Sequence, residues 1–259
     1  MSPQDEILQS LAQNSAIWDF SGSFYEENLP ELKGIEVINC RDIEGTCRYC
    51  DDEAAKALKE LVRNKHAKVN WLDSGDYHYM SLFTLGEIKE PFTLILLDNH
   101  PDMQPAEFGD VLSCGGWVRS ALESNENLSK VIILGINPQL RSECEGFGDR
   151  VQVIDRDELA RPSEPWLKPL INTNGVYISL DKDVLNEDES RTNWDQGTMT
   201  ISLLLDLLRQ IGANFNVLGM DICGSRPSSS GGTEEDALIN SRLNKCIYKV
   251  ILSIKSLYL

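Results

Sequence analysis

Short runs of apolar residues recur along this chain, and stretches with helical periodicity lie between them. The runs predict seven strands, at residues 34–40, 67–72, 92–97, 130–136, 150–154, 175–180 and 215–220. Several of them are apolar almost throughout, which is typical of strands that helices cover on both faces of a parallel sheet. The sequence therefore predicts an α/β fold, a three-layer αβα sandwich whose sheet is mainly parallel.

Three of the intervening stretches predict helices, at residues 51–65, 199–211 and 233–257. In the first, Ala54, Leu58, Leu61 and Val62 fall on one stripe, and acidic residues occupy the first turn, where the helix dipole favours them. We expect the second helix to end just before Gly212, since glycine is favoured directly after a helix. No repeat or linker-like segment interrupts the pattern, so residues 1–259 are interpreted as a single domain.

The charge balance argues against several classes of partner. The chain carries 24 Lys and Arg against 41 Asp and Glu, a net charge of −17 at pH 7. Binding to nucleic acid or to an anionic membrane surface needs a basic face, which this balance does not provide. Apolar runs such as 94–97 are far shorter than the ~20 residues of a membrane helix, and the acidic start is unlike a signal peptide. We therefore expect a cytoplasmic protein with no nucleic-acid or membrane partner.

Acidic and imidazole side chains follow four of the predicted strands. They lie at residues 73–78, 98–102, 181–183 and 221. Ligands of open α/β sheets bind just beyond the carboxyl ends of the strands, so these side chains should meet at one edge. Because alternate residues of an extended chain project to the same side, Asp98, His100 and Asp102 can converge. A single Asp-x-Asp is more often a turn, but this combination after separate strands favours metal binding.

The candidate ligands are numerous enough for two metal ions. They are His78, Asp98, His100, Asp102, Asp181 and Asp183. Four clustered carboxylates would repel one another and take up protons, whereas two divalent cations would offset their charge. A ligand set rich in oxygen with some imidazole favours Mn²⁺, with Fe²⁺, Co²⁺ and Zn²⁺ as alternatives. Two such ions would share a water molecule, lower its pKa and direct it as hydroxide at a planar carbon or a phosphorus atom.

These motifs resemble the signatures of the ureohydrolases, the superfamily of arginase and agmatinase. The family's GGDH-type, DAHxD and SxDxD segments are similar to residues 74–78, 98–102 and 179–183. The resemblance implies an arginase-like fold with two Mn²⁺ ions. It also implies roles for single residues: bridging for Asp98 and Asp181, ligation of one ion for His78 and Asp102, and ligation of the other for His100 and Asp183. The resemblance further implies that Asp102 takes part in catalysis by accepting a hydrogen bond from the bridging hydroxide. It implies that Asp76 and Asp221 orient the metal ligands without binding the ions themselves.

Four departures from the family pattern indicate a divergent member rather than an arginase. The Asp-Pro that usually follows the SxDxD motif is replaced by residues 186–188. Gly224 stands where arginases have the glutamate that pairs with the substrate guanidinium. No histidine follows His100, so the family's proton-shuttle histidine is missing. Tyr77 is an extra residue in the first motif, and it shifts His78 by one position. Substrate-binding residues are therefore not assigned from the sequence.

The resemblance implies a hydrolase that cleaves a C–N bond of a small guanidino, amidino or related amide substrate by attack of the metal-bridging hydroxide. Two other interpretations stay open, a single-zinc amidohydrolase similar to deacetylases and a metal-stabilised binding protein without catalysis. A homo-oligomer stays open as well. Cys47 and Cys50 form a CxxC pair, but the other cysteines are scattered, so we interpret the pair as free thiols in a loop. Trp117 and Trp194 follow the metal motifs and are candidates either to line the pocket or to pack in the core.

Overall fold

The computed structural model describes residues 2–27, 34–106, 109, 111–159 and 167–258. Within these residues lie ten strands, β1 to β10, at Ser15–Asp19, Glu36–Asn39, Tyr49–Cys50, Val69–Trp71, Phe92–Leu97, Leu112–Ser113, Leu128–Leu134, Val151–Ile154, Gly175–Asp181 and Asn216–Cys223. Eight of them form one sheet in the order β2-β1-β4-β10-β9-β5-β7-β8, in which every neighbouring pair is parallel. The strands β3 and β6 pair antiparallel outside this sheet. The predicted parallel sheet is confirmed.

The described residues also contain eight α-helices, α1 to α8, at Pro3–Gln13, Ser23–Glu26, Asp52–Lys65, Met80–Leu85, Trp117–Ser124, Arg156–Leu159, Ile201–Asn214 and Glu234–Ile251. On one face of the sheet, α1, α7 and α8 bury side chains such as Leu207 and Ile247. On the other face, α3, α4 and α5 bury side chains such as Leu58 and Phe83. The two apolar layers enclose the sheet, as the predicted three-layer sandwich requires. Across the described part of the chain, none of the helices is long and apolar enough to cross a membrane.

The middle of the sheet is buried on both faces. Every residue of β5 and of β9 is buried, which explains why the apolar runs of these strands do not alternate with polar residues. The strands β4, β10, β9 and β5 lie side by side. These are the four strands that the sequence predicts to carry acidic and imidazole side chains at their carboxyl ends, so the sheet order brings those ends together.

The predicted strands agree with the structure to within three residues at either end. For two of the predicted helices, the predicted C-terminal end is wrong. Helix α7 continues to Asn214 instead of ending before Gly212. A Cβ atom at Gly212 would lie 2.6 Å from Ile254 Cγ1, so this glycine permits close packing and does not end the helix. Helix α8 ends at Ile251, and a separate 3₁₀ turn follows at Lys255–Leu257.

Strand β1 has no counterpart among the predicted strands, although it pairs on both sides, with β2 and with β4. All five of its residues are buried. Its apolar run consists of Ala16, Ile17 and Trp18 alone, and a run of this length carries no readable period. Five helices and two short strands also lie outside the predicted elements, namely α1, α2, α4, α5, α6, β3 and β6.

Candidate metal centre

Three loops at the carboxyl edge of the sheet bring the six candidate ligands together. His78 follows a 3₁₀ turn at Gly75–Tyr77, which accommodates the extra residue of the first motif. Asp98, His100 and Asp102 follow β5. Asp181 is the last residue of β9, and Asp183 lies in the next 3₁₀ turn. We call these six side chains the metal cluster.

Asp98 lies at the centre of the metal cluster, between its two imidazoles. His78 Nδ1 is 3.3 Å from Asp98 Oδ2 and 3.1 Å from Asp102 Oδ2. On the other side, His100 Nδ1 is 3.6 Å from Asp98 Oδ1 and 2.9 Å from Asp183 Oδ2. The cluster therefore contains two groups of ligand atoms, each compact enough for one ion, that share Asp98.

Asp181 lies on the His78 side of the cluster. Its Oδ2 atom is 3.7 Å from His78 Nδ1, and its Oδ1 atom accepts a hydrogen bond of 2.9 Å from the Asp183 backbone amide. Cys223 Sγ contacts Asp181 Oδ2 at 3.1 Å, and the ligand atoms of His78, Asp181 and Cys223 form a third compact group. No role for Cys223 is predicted from the sequence, since the predicted strand stops at residue 220 whereas β10 continues to Cys223.

The chemistry of this donor set fits divalent cations. Asp98 Oδ2 is buried and makes no hydrogen bond within the described residues, a state that a cation would satisfy. Burial raises the pKa of Asp181, and burial together with the charge of Asp98 raises the pKa of Asp183 to about 7. Burial alone would lower the pKa of His100, but its hydrogen bonds to Asp183 and Asp98 raise it to about 12. Cations would displace the protons that these side chains otherwise hold.

Two serines lie between His78 and Asp221. His78 Nε2 lies 2.8 Å from Ser179 Oγ, which is 3.3 Å from Ser81 Oγ. Burial raises the pKa of Asp221, and Ser81, which lies beside that carboxyl group, counteracts part of this effect. The sequence predicts Asp221 just after its strand, but Asp221 lies inside β10. There its carboxylate accepts a hydrogen bond of 2.5 Å from the Tyr177 hydroxyl. The carboxylate of Asp221 thus anchors a chain of hydroxyl groups that reaches the imidazole.

The two tryptophans that follow the metal motifs have different positions. Trp117 is fully buried, and its indole nitrogen donates a hydrogen bond of 2.6 Å to Asp102 Oδ2. Trp194 lines the cavity above the metal cluster, with its ring 6.0 Å from that of His100. Asp76 accepts a hydrogen bond of 3.1 Å from the Trp194 indole, so Asp76 supports the side chain that lines the cavity.

A cavity of about 200 Å³ opens over the metal cluster. Among the side chains that line it outside the cluster, we call the following five the cavity wall: Arg48, Gln104, Leu140, Glu143 and Trp194. Of these, only Trp194 is a candidate from the sequence. Arg48 lies between the two cysteines of the CxxC pair, directly before β3, and the pairing of β3 with β6 places it at the cavity, a role that the motif does not indicate. Glu143 lies in a 3₁₀ turn at Pro138–Cys144, where the sequence gives no signal for a site.

Gly224 has no room for a side chain. Its backbone φ angle is +95°, in the left-handed region that favours glycine. A Cβ atom there would lie 2.5 Å from Asp181 Oδ1 and 2.8 Å from the Lys182 backbone nitrogen. The structure therefore excludes a glutamate at this position in the present backbone conformation.

Cys47 and Cys50 are free thiols, exposed and buried respectively, as the sequence analysis expects. Neither belongs to a group of ligand-type side chains close enough to hold an ion, as far as the described residues extend. Cys50 lies in the short strand β3 and not in a loop.

Comparison with known proteins gives these features a context. The family model described as "Arginase family" matches residues 9–247 of this chain. An uncharacterized protein of Thermotoga maritima is 32% identical over 209 residues, which are 80% of this chain and 78% of that protein.

Solved structures share the fold at low sequence identity. Proclavaminate amidino hydrolase of Streptomyces clavuligerus superposes with a TM-score of 0.70 and 16% identity, covering 93% of this chain and 91% of its own. A formiminoglutamase of Trypanosoma cruzi, solved with Mn²⁺, has a TM-score of 0.70 and 10% identity, covering 93% of this chain and 94% of its own. With a family model that matches most of its length, the chain belongs to the arginase family.

Proposed function

We propose that this protein is a hydrolase with two divalent metal ions, which cleaves a C–N bond of a small guanidino, amidino or related amide substrate. The observation that carries the proposal is the pair of ligand groups that share Asp98 beneath an open cavity. Membership of the arginase family supports it, because the named members with similar structures include an amidino hydrolase and a formiminoglutamase.

The donors divide naturally between the two ions. His78 and Asp102 would hold one ion, His100 and Asp183 the other, and Asp98 would bridge them. Asp181 would be the second bridge. When bound, a pair of divalent ions supplies an activated water and offsets the negative charge that develops on the substrate. Mn²⁺ is the proposed metal, because oxygen donors predominate and because the formiminoglutamase of Trypanosoma cruzi was solved with Mn²⁺.

Asp102 and Glu143 are the proposed proton-handling groups of this chain. Asp102 Oδ2 is held by the Trp117 indole and would accept a hydrogen bond from the attacking water. Glu143 lines the same cavity, and burial raises its pKa above the usual 4.5. A carboxyl group with a raised pKa is a better proton donor near neutral pH, so Glu143 would protonate the leaving amine in place of the missing shuttle histidine.

Asp76 and Asp221 are proposed to keep other groups in position. Asp221 would fix the orientation of the His78 ring through Ser81 and Ser179. Asp76 would hold Trp194 at the cavity wall. Such supporting hydrogen bonds affect metal affinity or activity although they do not touch the reacting atoms.

The test is a metal count combined with a substrate screen. Protein stripped with a chelator and reloaded with Mn²⁺ is analysed for metal per chain, and guanidino, amidino and N-acyl compounds are screened for released urea, ammonia or amine. We expect two ions per chain and turnover of at least one compound class. Asp98→Asn should lose both metal and activity, whereas the exposed Asp149→Asn control should keep both.

The rival interpretations give different results in the same experiment. The group formed by Asp98, His100 and Asp183 could serve a single-zinc amidohydrolase, which would bind one ion per chain. A binding protein without catalysis would gain thermal stability from two ions but turn over none of the compounds. Either result would contradict the proposed function.

A further inference from the structure

The metal cavity is acidic, but one strongly basic side chain lines it. Arg48 is the single Lys or Arg among the described residues of the lining, which otherwise contributes four cluster aspartates and Glu143 to its charge. The whole chain carries a net charge of −17. A guanidinium that is fixed in such a cavity is suited to bind an anion, since planar donors match the geometry of a carboxylate.

The backbone of Arg48 is held from both sides. Its amide donates a hydrogen bond of 3.2 Å to the Asp76 carbonyl, and its carbonyl accepts one of 2.8 Å from the Cys114 amide. Its φ angle is +62°, a left-handed conformation that is unfavourable for arginine. Strained residues of this kind persist only where the surrounding structure enforces them, and they concentrate at ligand sites.

The side chain of Arg48 is fixed as well. Its Nε atom lies 3.2 Å from Asp76 Oδ1, and its guanidinium carbon lies 5.2 Å from the centre of the Trp194 ring. Asp76 is buried and is itself held by Asn193 and Trp194. One edge and one face of the guanidinium are therefore occupied, while its two terminal nitrogens have no hydrogen-bond partner in the described part of the chain.

Arg48 also gives the substrate a direction. The proposed metal ions would offset the charge of the cluster aspartates, and Glu143 in its role as proton donor carries no charge. Arg48 is then the side chain of the cavity wall that would attract a carboxylate on the substrate. A substrate held at its carboxylate end by Arg48, at the rim, would extend toward the metal cluster and leave its C–N group near the ions.

We infer that the substrate is an acid, a guanidino, amidino or acylamino compound whose far end carries a carboxylate that Arg48 binds through its two terminal nitrogens. This inference rests on the proposed function, because it assumes that the cavity holds the substrate. It assigns Arg48 as a substrate-binding residue and identifies the cavity wall as the part that selects for charge.

The test compares acids with their neutral amides. Short ω-guanidino acids, from 3-guanidinopropionate to 6-guanidinohexanoate, are each paired with the corresponding primary amide, which differs only at the far end. With Mn²⁺-loaded protein, we expect kcat/KM for the best acid to exceed that of its amide by about tenfold to a hundredfold, the usual range for a hydrogen-bonded ion pair. Arg48→Gln should abolish this preference by raising KM for the acid alone.

Two further variants separate charge recognition from general damage. Arg48→Lys keeps the charge but loses the planar pair of donors, so it should retain part of the preference. Arg63→Gln removes an equal charge from an exposed position on α3, and it should keep the full preference. An acid and amide that wild type treats alike, or a preference that survives in Arg48→Gln, would overturn the inference.

Direct binding distinguishes failure of this inference from failure of the proposed function. Dissociation constants of the same acids and amides are measured by calorimetry with Mn²⁺-loaded protein. If no compound is turned over, tighter binding of the acid in wild type but not in Arg48→Gln still supports the inference while the hydrolase proposal fails. Turnover without any preference for the acid leaves the hydrolase proposal intact and overturns the proposed role of Arg48. Absence of acid binding also overturns the proposed role of Arg48.

Discussion

The close approach of Gly224 to Asp181 predicts that even the smallest side chain at this position damages the metal centre. Gly224→Ala places a methyl group 2.5 Å from Asp181 Oδ1 and 2.8 Å from the Lys182 backbone nitrogen. Asp181 Oδ1 is held by a hydrogen bond from the Asp183 backbone amide, and the Lys182 nitrogen is part of the backbone. The clash must therefore be relieved by movement of the carboxylate or of the strand end. Displacing Asp181 removes a proposed bridge between the two ions.

The cost of the substitution has two parts that can be worked out separately. The left-handed backbone, with φ of +95° at Gly224, costs a residue with a side chain about 1–2 kcal/mol. Overpacking against Asp181 adds about 1–3 kcal/mol. Gly231 provides a matched control, since its φ is +82° but no described atom lies within 4 Å of its Cβ position. Gly231→Ala should therefore show the backbone part alone.

Urea unfolding of the metal-free variants measures these costs, and calorimetric titration with Mn²⁺ measures the effect on the centre. We expect Gly224→Ala to be less stable than Gly231→Ala by about 1–3 kcal/mol, the overpacking part, and to bind Mn²⁺ more weakly. Gly231→Ala should bind Mn²⁺ as wild type does. Equal stabilities for the two variants, or unchanged Mn²⁺ affinity in Gly224→Ala, would refute the reasoning from the clash.

Other contacts of the metal cluster give predictions of the same kind. Ser179→Ala removes the partner of His78 Nε2 at 2.8 Å, so Mn²⁺ affinity measured by calorimetry should fall by about tenfold to a hundredfold. Trp117→Phe removes the hydrogen bond of 2.6 Å to Asp102, and steady-state kinetics should show a lower kcat while metal analysis still finds two ions per chain. The raised pKa of Asp183, about 7 instead of 3.8, contributes stability that is present below pH 3.8 and is lost as the pH rises through 7. Metal-free protein should therefore unfold at lower urea concentration at pH 8 than at pH 5.5. A higher unfolding midpoint at pH 8 would contradict the raised pKa of Asp183.

The positions of the cluster ligands could be predicted because they depend on local patterns and one property of parallel sheets. Strands β5 and β9 are nearly unbroken apolar runs, and their observed ends differ by at most one residue from the predicted ones. Asp98 and Asp181 stand at those ends, and His100 and Asp183, two residues further on, stay near the same edge of the sheet. The predicted extended backbone is not what places Asp183, which lies in a 3₁₀ turn. Neighbouring parallel strands have their carboxyl ends at the same edge of the sheet. The proximity of the four side chains could therefore be predicted without knowing any contact between distant segments.

The cavity wall could not be predicted, because its residues depend on contacts between distant segments. Arg48 reaches the cavity through the pairing of β3 with β6, which involves two residues on each strand. Such a short pairing leaves no period in the sequence. Cys223 escaped prediction for another reason: the polar residue Asp221 suggested the end of a strand, whereas its carboxylate is satisfied inside the sheet by hydroxyl donors such as Tyr177.

The metal cluster lies at a packed sheet edge, whereas the cavity wall includes an exposed side chain, and this difference affects how substrate specificity can change. Gly224 is confined by Asp181 and the adjacent backbone, so a change there disturbs the sheet edge that holds the metal ligands. The Arg48 side chain is 56% exposed and is tied to Asp76 at the rim of the cavity, so replacing it removes charge from the cavity without creating a void in the core. Gly224 adds no acidic group near Asp181, and Arg48 adds a positive charge at the rim of the cavity. Under the proposed function, both residues would favour an anionic substrate without altering the arrangement of Asp98, His100 and Asp183 that would hold the metal.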